Sequence, residues 1–215
     1  RNRRRTYKKR GGGDDDDDGG TALHKASKFG NLVAVKALIA DGADVNKPDN
    51  KGWTPISRAS WAGNLEVVHA LIAVDGANVD NADNVGWTPI IRASFEGHLG
   101  VVQALADKGA DVNKANNNGR TPVSWASFKG HVDVVNELIK RGADVNKASS
   151  GRTPIYWASY KGHPKVVEVL LTKGANMNTV DDEGKSPLDW ASEKGHLEVV
   201  EALRLALTVQ TKEKE

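Results

Sequence analysis

The sequence contains no cysteine, which excludes a disulfide framework, a thiolate metal site and a thiol nucleophile. No apolar run approaches the ~18 residues of a membrane-spanning helix. The start lacks the hydrophobic stretch of a secretory leader. Missing too is the basic body by which nucleic-acid binders attract phosphate. The net charge of the 215 residues is +2 and unevenly placed. Arg1 to Arg10, "RNRRRTYKKR", carries seven positive charges and Asp14 to Asp18 five negative ones, so the chain from Gly19 onward is neutral. The first residue is Arg1 rather than Met, and the chain is expected to be a segment of a longer protein.

What the sequence does have is a period. Thr21, Thr54, Thr88, Thr121, Thr153 and Ser186 open six matching segments spaced by 33, 34, 33, 32 and 33 residues. The hydroxyl residue reads as a helix N-cap. Pro55, Pro89, Pro122, Pro154 and Pro187 follow at the first helical position, where no N–H is missed. Two places after the cap stands an apolar anchor (Leu23, Ile56, Ile90, Val123, Ile155, Leu188), five after it Ala, six after it Ser and nine after it Gly. Small residues at fixed places let a neighbouring helix approach, and the Gly ends the helix. A second helix follows; in the second copy Leu65, Val67, Val68, Leu71 and Ile72 fall on one face. Gly42, Gly76, Gly109, Gly142 and Gly174 stop these second helices, and a polar loop such as "ADVNKPDNKG" leads to the next cap.

One helix pair cannot bury its apolar face alone, whereas stacked pairs can. The period, with "TP", "GH" and "GADVN", resembles the ankyrin repeat family. The resemblance implies an all-α solenoid of stacked antiparallel helix pairs with β-turn fingers, a concave groove along the first helices, and a binding role. Repeats are expected over 16–48, 49–82, 83–115, 116–147, 148–180 and 181–207. A basic and acidic low-complexity tail, expected to be disordered, occupies 1–15, and a charged tail 208–215. Asp16 to Gly19 fits the finger template of Asp49 to Gly52, so the acidic run overlaps the first finger. The chain departs from the family at the third place after the cap, where the family's His ties adjacent turns together. Only His24 fits; Ser57, Ile91, Ser124, Tyr156 and Asp189 stand elsewhere, so the resemblance carries that inter-repeat bond over to His24 alone and leaves the fold as expected.

Catalytic and metal signatures fail on spacing. His98, His131, His163 and His196 occupy one column of successive repeats. Packed helices lie ~8–10 Å apart, too far for one zinc with Zn–N of ~2.0–2.1 Å. Asp14 to Gly19 imitates half of a calcium loop, but Lys25 stands where the bidentate Glu is needed. There is no phosphate-binding or dinucleotide glycine motif and no nucleophile with a base at motif spacing. No cofactor, metal or enzyme activity is expected.

The aromatics are the chemistry left. Four places after the cap the copies read Lys25, Arg58, Arg92, Trp125, Trp157 and Trp190; seven after, Lys28, Trp61, Phe95, Phe128, Tyr160 and Glu193; eight after, Phe29, Ala62, Glu96, Lys129, Lys161 and Lys194. Just before the cap stand Trp53, Trp87, Arg120, Arg152 and Lys185. Places four, seven and eight share a helix face, and the resemblance implies that these columns line the groove. Trp and Tyr with Arg are the residues enriched at binding hot spots. The expected contact residues are Trp53, Trp61, Trp87, Phe95, Arg120, Trp125, Phe128, Arg152, Trp157, Tyr160 and Lys185. Trp125, Trp157 and Trp190 also read as half-buried packing. The expected function is that of a non-catalytic, monomeric scaffold or adaptor holding a protein or peptide, acidic or amphipathic, in the groove. The alternative is the recognition arm of a larger enzyme or channel. Nucleic-acid binding and membrane insertion are not expected, and the basic run Arg1 to Arg10 suits an intracellular protein, cytoplasmic or nuclear.

Overall fold

The computed structural model describes residues 19–212. The basic run 1–10, the acidic run 14–18 and the last three residues, with the expected tail 1–15 and most of the first finger, lie outside the described residues. Gly19 is described, and its φ of +71° matches the finger glycines Gly52 (+80°) and Gly86 (+81°).

Twelve α-helices follow one another among the described residues, with no strand, as six antiparallel pairs: α1 (Ala22–Lys28) with α2 (Leu32–Ala40), α3 (Pro55–Ala62) with α4 (Leu65–Ile72), α5 (Pro89–Glu96) with α6 (Leu99–Asp107), α7 (Pro122–Lys129) with α8 (Val132–Lys140), α9 (Pro154–Lys161) with α10 (Pro164–Thr172), and α11 (Pro187–Glu193) with α12 (Leu197–Lys212). Odd-numbered helices stack on one another in one layer and even-numbered ones in a second. The expected all-α solenoid is the fold found.

The capping chemistry builds each first helix. Thr54 Oγ1 accepts the Ser57 N–H, and Thr88, Thr121 and Thr153 act alike on Ile91, Ser124 and Tyr156. Proline occupies the first turn of α3, α5, α7, α9 and α11. The anchors Leu23, Ile56, Ile90, Val123 and Ile155 and the Ala column (Ala59, Ala93, Ala126, Ala158, Ala191) are buried in the core that Val67, Val68, Leu71, Leu105, Leu138 and Leu170 of the second helices complete. At Gly63 the left-handed φ of +74° favours glycine, and a Cβ would also strike the His98 ring of the next repeat.

That contact belongs to a series that ties the repeats together. The family's histidine at the third place is present only as His24. His24 does span the gap, its Nε2 lying 2.9 Å from the Trp53 carbonyl. Where that residue is absent, the histidine ten places after the cap takes over. Nε2 of His98, His131, His163 and His196 donates to the carbonyls of Trp61, Phe95, Phe128 and Tyr160 in the preceding repeat, at 3.0–3.2 Å. A carbonyl can only accept, so Nε2 carries the proton. Asn64 fills the column in repeat 2 and donates to the Ser27 and Lys28 carbonyls. The loop asparagines form a second line: Asn46, Asn113 and Asn146 each donate to a glycine carbonyl one repeat on and accept a backbone N–H from the same loop. The histidine column is thus a line of hydrogen bonds between repeats.

Two elements differ from a regular repeat. The fifth finger is one residue shorter, and closes as a tight turn with Ser150 at φ +51° and Gly151 at +69°, bridging Ser149 to Arg152. Positive φ at both central residues suits a two-residue hairpin turn. The final helix runs to Lys212, past the expected start of the charged tail at 208. The glycine that stops each earlier second helix has no counterpart after Gly195, so nothing ends α12 early.

Candidate functional site

The odd-numbered helices and the fingers share one face, and on it the aromatic rings touch across repeats 2 to 6. Trp53 meets Trp61 edge-to-face at 6.1 Å, and Trp87 meets Phe95 at 5.4 Å and Trp125 at 4.8 Å. Rings then continue from Trp125 to Phe128 (5.7 Å), Trp157 (5.6 Å), Tyr160 (6.2 Å) and Trp190 (5.2 Å). The guanidinium of Arg92 closes the remaining gap, lying 3.2 Å from the centre of Trp53 and 5.4 Å from that of Trp87. Offset and edge contacts of this kind are favourable for aromatic quadrupoles, as is a cation over a ring.

A polar layer holds the rings in place. In finger 2, Asp49 Oδ1 accepts the N–H groups of Lys51 and Trp53, and the other oxygen binds Arg58. Finger 3 repeats this with Asp83, whose Oδ1 binds Val85 and Trp87 and whose Oδ2 binds Arg92. In finger 6, Asp181 Oδ1 takes Glu183 and Lys185, and Oδ2 takes the indole N–H of Trp190. Each finger carboxylate therefore sets the turn with one oxygen and, with the other, pins the side chain nine residues on. Burial pushes the Asp181 carboxyl up, but these N–H donors outweigh it and leave it below the usual carboxylate range. Burial pulls Arg92 down to about 10 even against the pull of Asp83.

The expected contact residues do come together, at two depths. Trp61 is 40% exposed, and its indole N–H reaches Glu96 of the next repeat at 3.1 Å. Trp53, Trp87, Phe95, Arg120, Phe128, Arg152, Tyr160 and Lys185 are half-buried. Trp125 and Trp157 are only 9% and 6% exposed, so they lie beneath the layer as packing rather than on it. Trp190 is buried likewise. The sequence reading missed Tyr156, which is buried among these rings with its hydroxyl pushed up to about 12, chiefly by burial. It also missed the buried Asp49–Arg58 and Asp83–Arg92 pairs. Their signal was present, because an Asp stands nine residues before each of these arginines and before Trp190.

Lysines complete the face. Lys129 lies 4.5 Å from the Phe95 ring centre, Lys161 4.6 Å from Phe128 and Lys194 5.2 Å from Tyr160, each reaching the ring of the preceding repeat. Lys185 is held by Glu193 at 2.5 Å. Arg120, Lys129, Arg152 and Lys161 of repeats 4 and 5 meet no carboxylate among the described residues. The face thus offers apolar rings and positive charge. Among the described residues there is no group of three or more His, Asp or Glu placed to hold a metal ion, and no helix long and apolar enough to cross a membrane.

Comparison with known proteins agrees with this geometry. The family profile described as "Ankyrin repeats (3 copies)" matches residues 7–83, 71–149 and 136–212. Two curated relatives carry the name "Protein phosphatase 1 regulatory subunit 27": that of Homo sapiens is 39% identical over 53 residues and that of Mus musculus 41% over the same length. Each match covers 25% of this chain and 34% of the relative, so the chain spans about a third of the length of these relatives.

Proposed function

The chain belongs to the ankyrin repeat family, whose general role is protein–protein interaction, and we propose that it is a non-catalytic scaffold or adaptor that holds an extended, acidic or amphipathic protein segment along a groove formed by its fingers and odd-numbered helices. The single observation that carries this reading is the row of partly exposed rings Trp61, Phe95, Phe128 and Tyr160, underlain by the buried indoles of Trp125, Trp157 and Trp190, with four cations beside it that meet no carboxylate among the described residues. Polar chains of this size do not ordinarily expose so long an apolar stripe without a use. A ring surface flanked by Arg and Lys complements a segment with apolar anchors and carboxylates. The likeness to part of a phosphatase regulatory subunit supports a role in which the repeats bind rather than react. An intracellular setting, cytoplasmic or nuclear, goes with the basic run at the start. In a larger protein the same face would serve as its recognition arm.

The test is selection of binding peptides from a random library about twelve residues long, enough at ~3.3 Å per residue to span four repeats. Selected peptides are expected to lose about thirtyfold in affinity on Trp61→Ala, as for an aromatic hot spot worth ~2 kcal/mol, and to weaken on Lys129→Glu. Peptides that bind both variants like the wild type would overturn the reading.

A further inference from the structure

The fingers differ in one atom-level respect. In repeats 2, 3 and 6 the chain supplies its own carboxylate to the side chain nine residues on: Asp49 to Arg58, Asp83 to Arg92, Asp181 to Trp190. In repeat 4 the residue is Asn116. Its Oδ1 accepts the N–H groups of Asn118 (3.1 Å) and Arg120 (3.0 Å), which fixes the amide orientation and turns Nδ2, a donor, toward the place of the second carboxylate oxygen. Asn116 Nδ2 and Trp125 Nε1 are buried and find no acceptor. In repeat 5 the shortened finger offers Ser149, and Trp157 Nε1 is buried without an acceptor as well. Asn116, Trp125 and Trp157 are all more than nine-tenths buried. Buried donors of this kind are ordinarily satisfied.

The same two repeats carry the unneutralised arginines. Arg120 lies 3.8 Å from the ring centre of Trp157 and 4.6 Å from that of Trp125, and so bridges the two repeats. Arg152 lies 5.9 Å from the Tyr156 ring centre. Burial and the neighbouring charge of Arg152 both hold Arg120 below the ordinary arginine range, the reverse of what a carboxylate partner does. Two neighbouring guanidinium groups, Arg120 over the indoles of Trp125 and Trp157 and Arg152 near the Tyr156 ring, form a donor-rich anion site.

Resting on the groove reading above, we propose that the finger face of repeats 4 and 5 is a carboxylate subsite, in which an Asp or Glu side chain of the bound segment lies between Arg120 and Arg152 and supplies the anion that Asp49, Asp83 and Asp181 supply elsewhere.

The experiment uses the selected peptides with the full chain. Wild-type selections are expected to converge on an Asp or Glu at one fixed position relative to their aromatic or aliphatic anchors. Replacing that residue by Asn or Gln, or using the double variant Arg120→Gln, Arg152→Gln, should each weaken binding about tenfold or more, with little further loss when combined. Asn116→Asp, which gives the finger its own carboxylate, should weaken acidic peptides while raising the melting temperature. That variant keeps the test decisive if the double arginine variant unfolds. Peptides that lose affinity on Trp61→Ala but show no fixed acid, or whose acid preference survives both sets of variants, would overturn the subsite and leave the groove reading standing. Peptides indifferent to Trp61→Ala would overturn the groove reading and the subsite together. A preference for phosphoserine over Asp or Glu, reversed by inorganic phosphate, would show that the arginines take a phosphate and overturn the carboxylate assignment.

Discussion

Trp190 donates its indole N–H to Oδ2 of Asp181, nine residues earlier, at 2.9 Å. Trp125 stands in the same relation to Asn116, and its indole N–H has no acceptor. The two repeats differ there by a carboxylate oxygen against an amide nitrogen. Asn116→Asp should therefore raise the stability by about 1 kcal/mol, the worth of one buried hydrogen bond made good, and Asp181→Asn should lower it by ~1–3 kcal/mol. Urea unfolding of both variants measures this; a destabilised Asn116→Asp would contradict it.

The serine column offers a test of the stack. The hydroxyls of Ser60, Ser94 and Ser127 are wholly buried and have no partner, and each sits in the last turns of a first helix against the neighbouring helices. Alanine keeps the small volume, removes the unpaired hydroxyl and favours the helix. Ser94→Ala is expected to stabilise by roughly 0.5–1.5 kcal/mol, and Ser94→Val to destabilise, because the second branch at Cβ overpacks a fully buried position between helices. Thermal melts of the pair would show opposite shifts.

The histidine column carries a pH dependence. Burial holds His163 below the usual imidazole value; its bond to the Phe128 carbonyl opposes this, and the charges of His131, His196 and Lys161 add to the depression. The unfolded chain therefore takes the proton first as pH falls. Stability should be full above the ordinary value near 6.5 and be lost as pH falls through the folded value. His163→Asn should flatten that slope, since Asn64 makes the same inter-repeat bonds in repeat 2 without titrating. Melting temperatures measured from pH 7.5 down to about 5 would show parallel curves for the two proteins if the histidine has no such role.

Much of this was legible in the sequence, because a repeat states each residue's task several times. A Thr or Ser cap, followed by Pro in five of the six copies, with Ala at five and Gly at nine, marked the first helices, and the column seven places after the cap marked the face that carries the rings. The burial of Trp125 and Trp157 was not, since a helical wheel gives a direction but not the depth added by rings of adjacent repeats, such as Trp87 against Trp125. The inter-repeat bonds of the histidine column were not legible either. The carbonyl that His131 reaches belongs to Phe95, 36 residues earlier, and that closeness exists only once the helices stack. The length of α12 was missed because its stop depends on a glycine that is absent rather than on a residue that is present.

Trp53, Trp61 and Trp87 lie on the proposed binding face and Trp125, Trp157 and Trp190 directly beneath it, so the six indole N–H signals are a built-in probe of it. The most direct measurement is a heteronuclear NMR titration of the 15N-labelled protein with a selected acidic peptide. The account predicts that the indole signals of Trp53, Trp61 and Trp87 shift, with those of Trp125 and Trp157 responding as the carboxylate arrives, while backbone amides of α4, α6 and α8 stay in place. Unmoved indoles together with shifted amides along α4, α6 and α8 would place the partner on the opposite layer and contradict it.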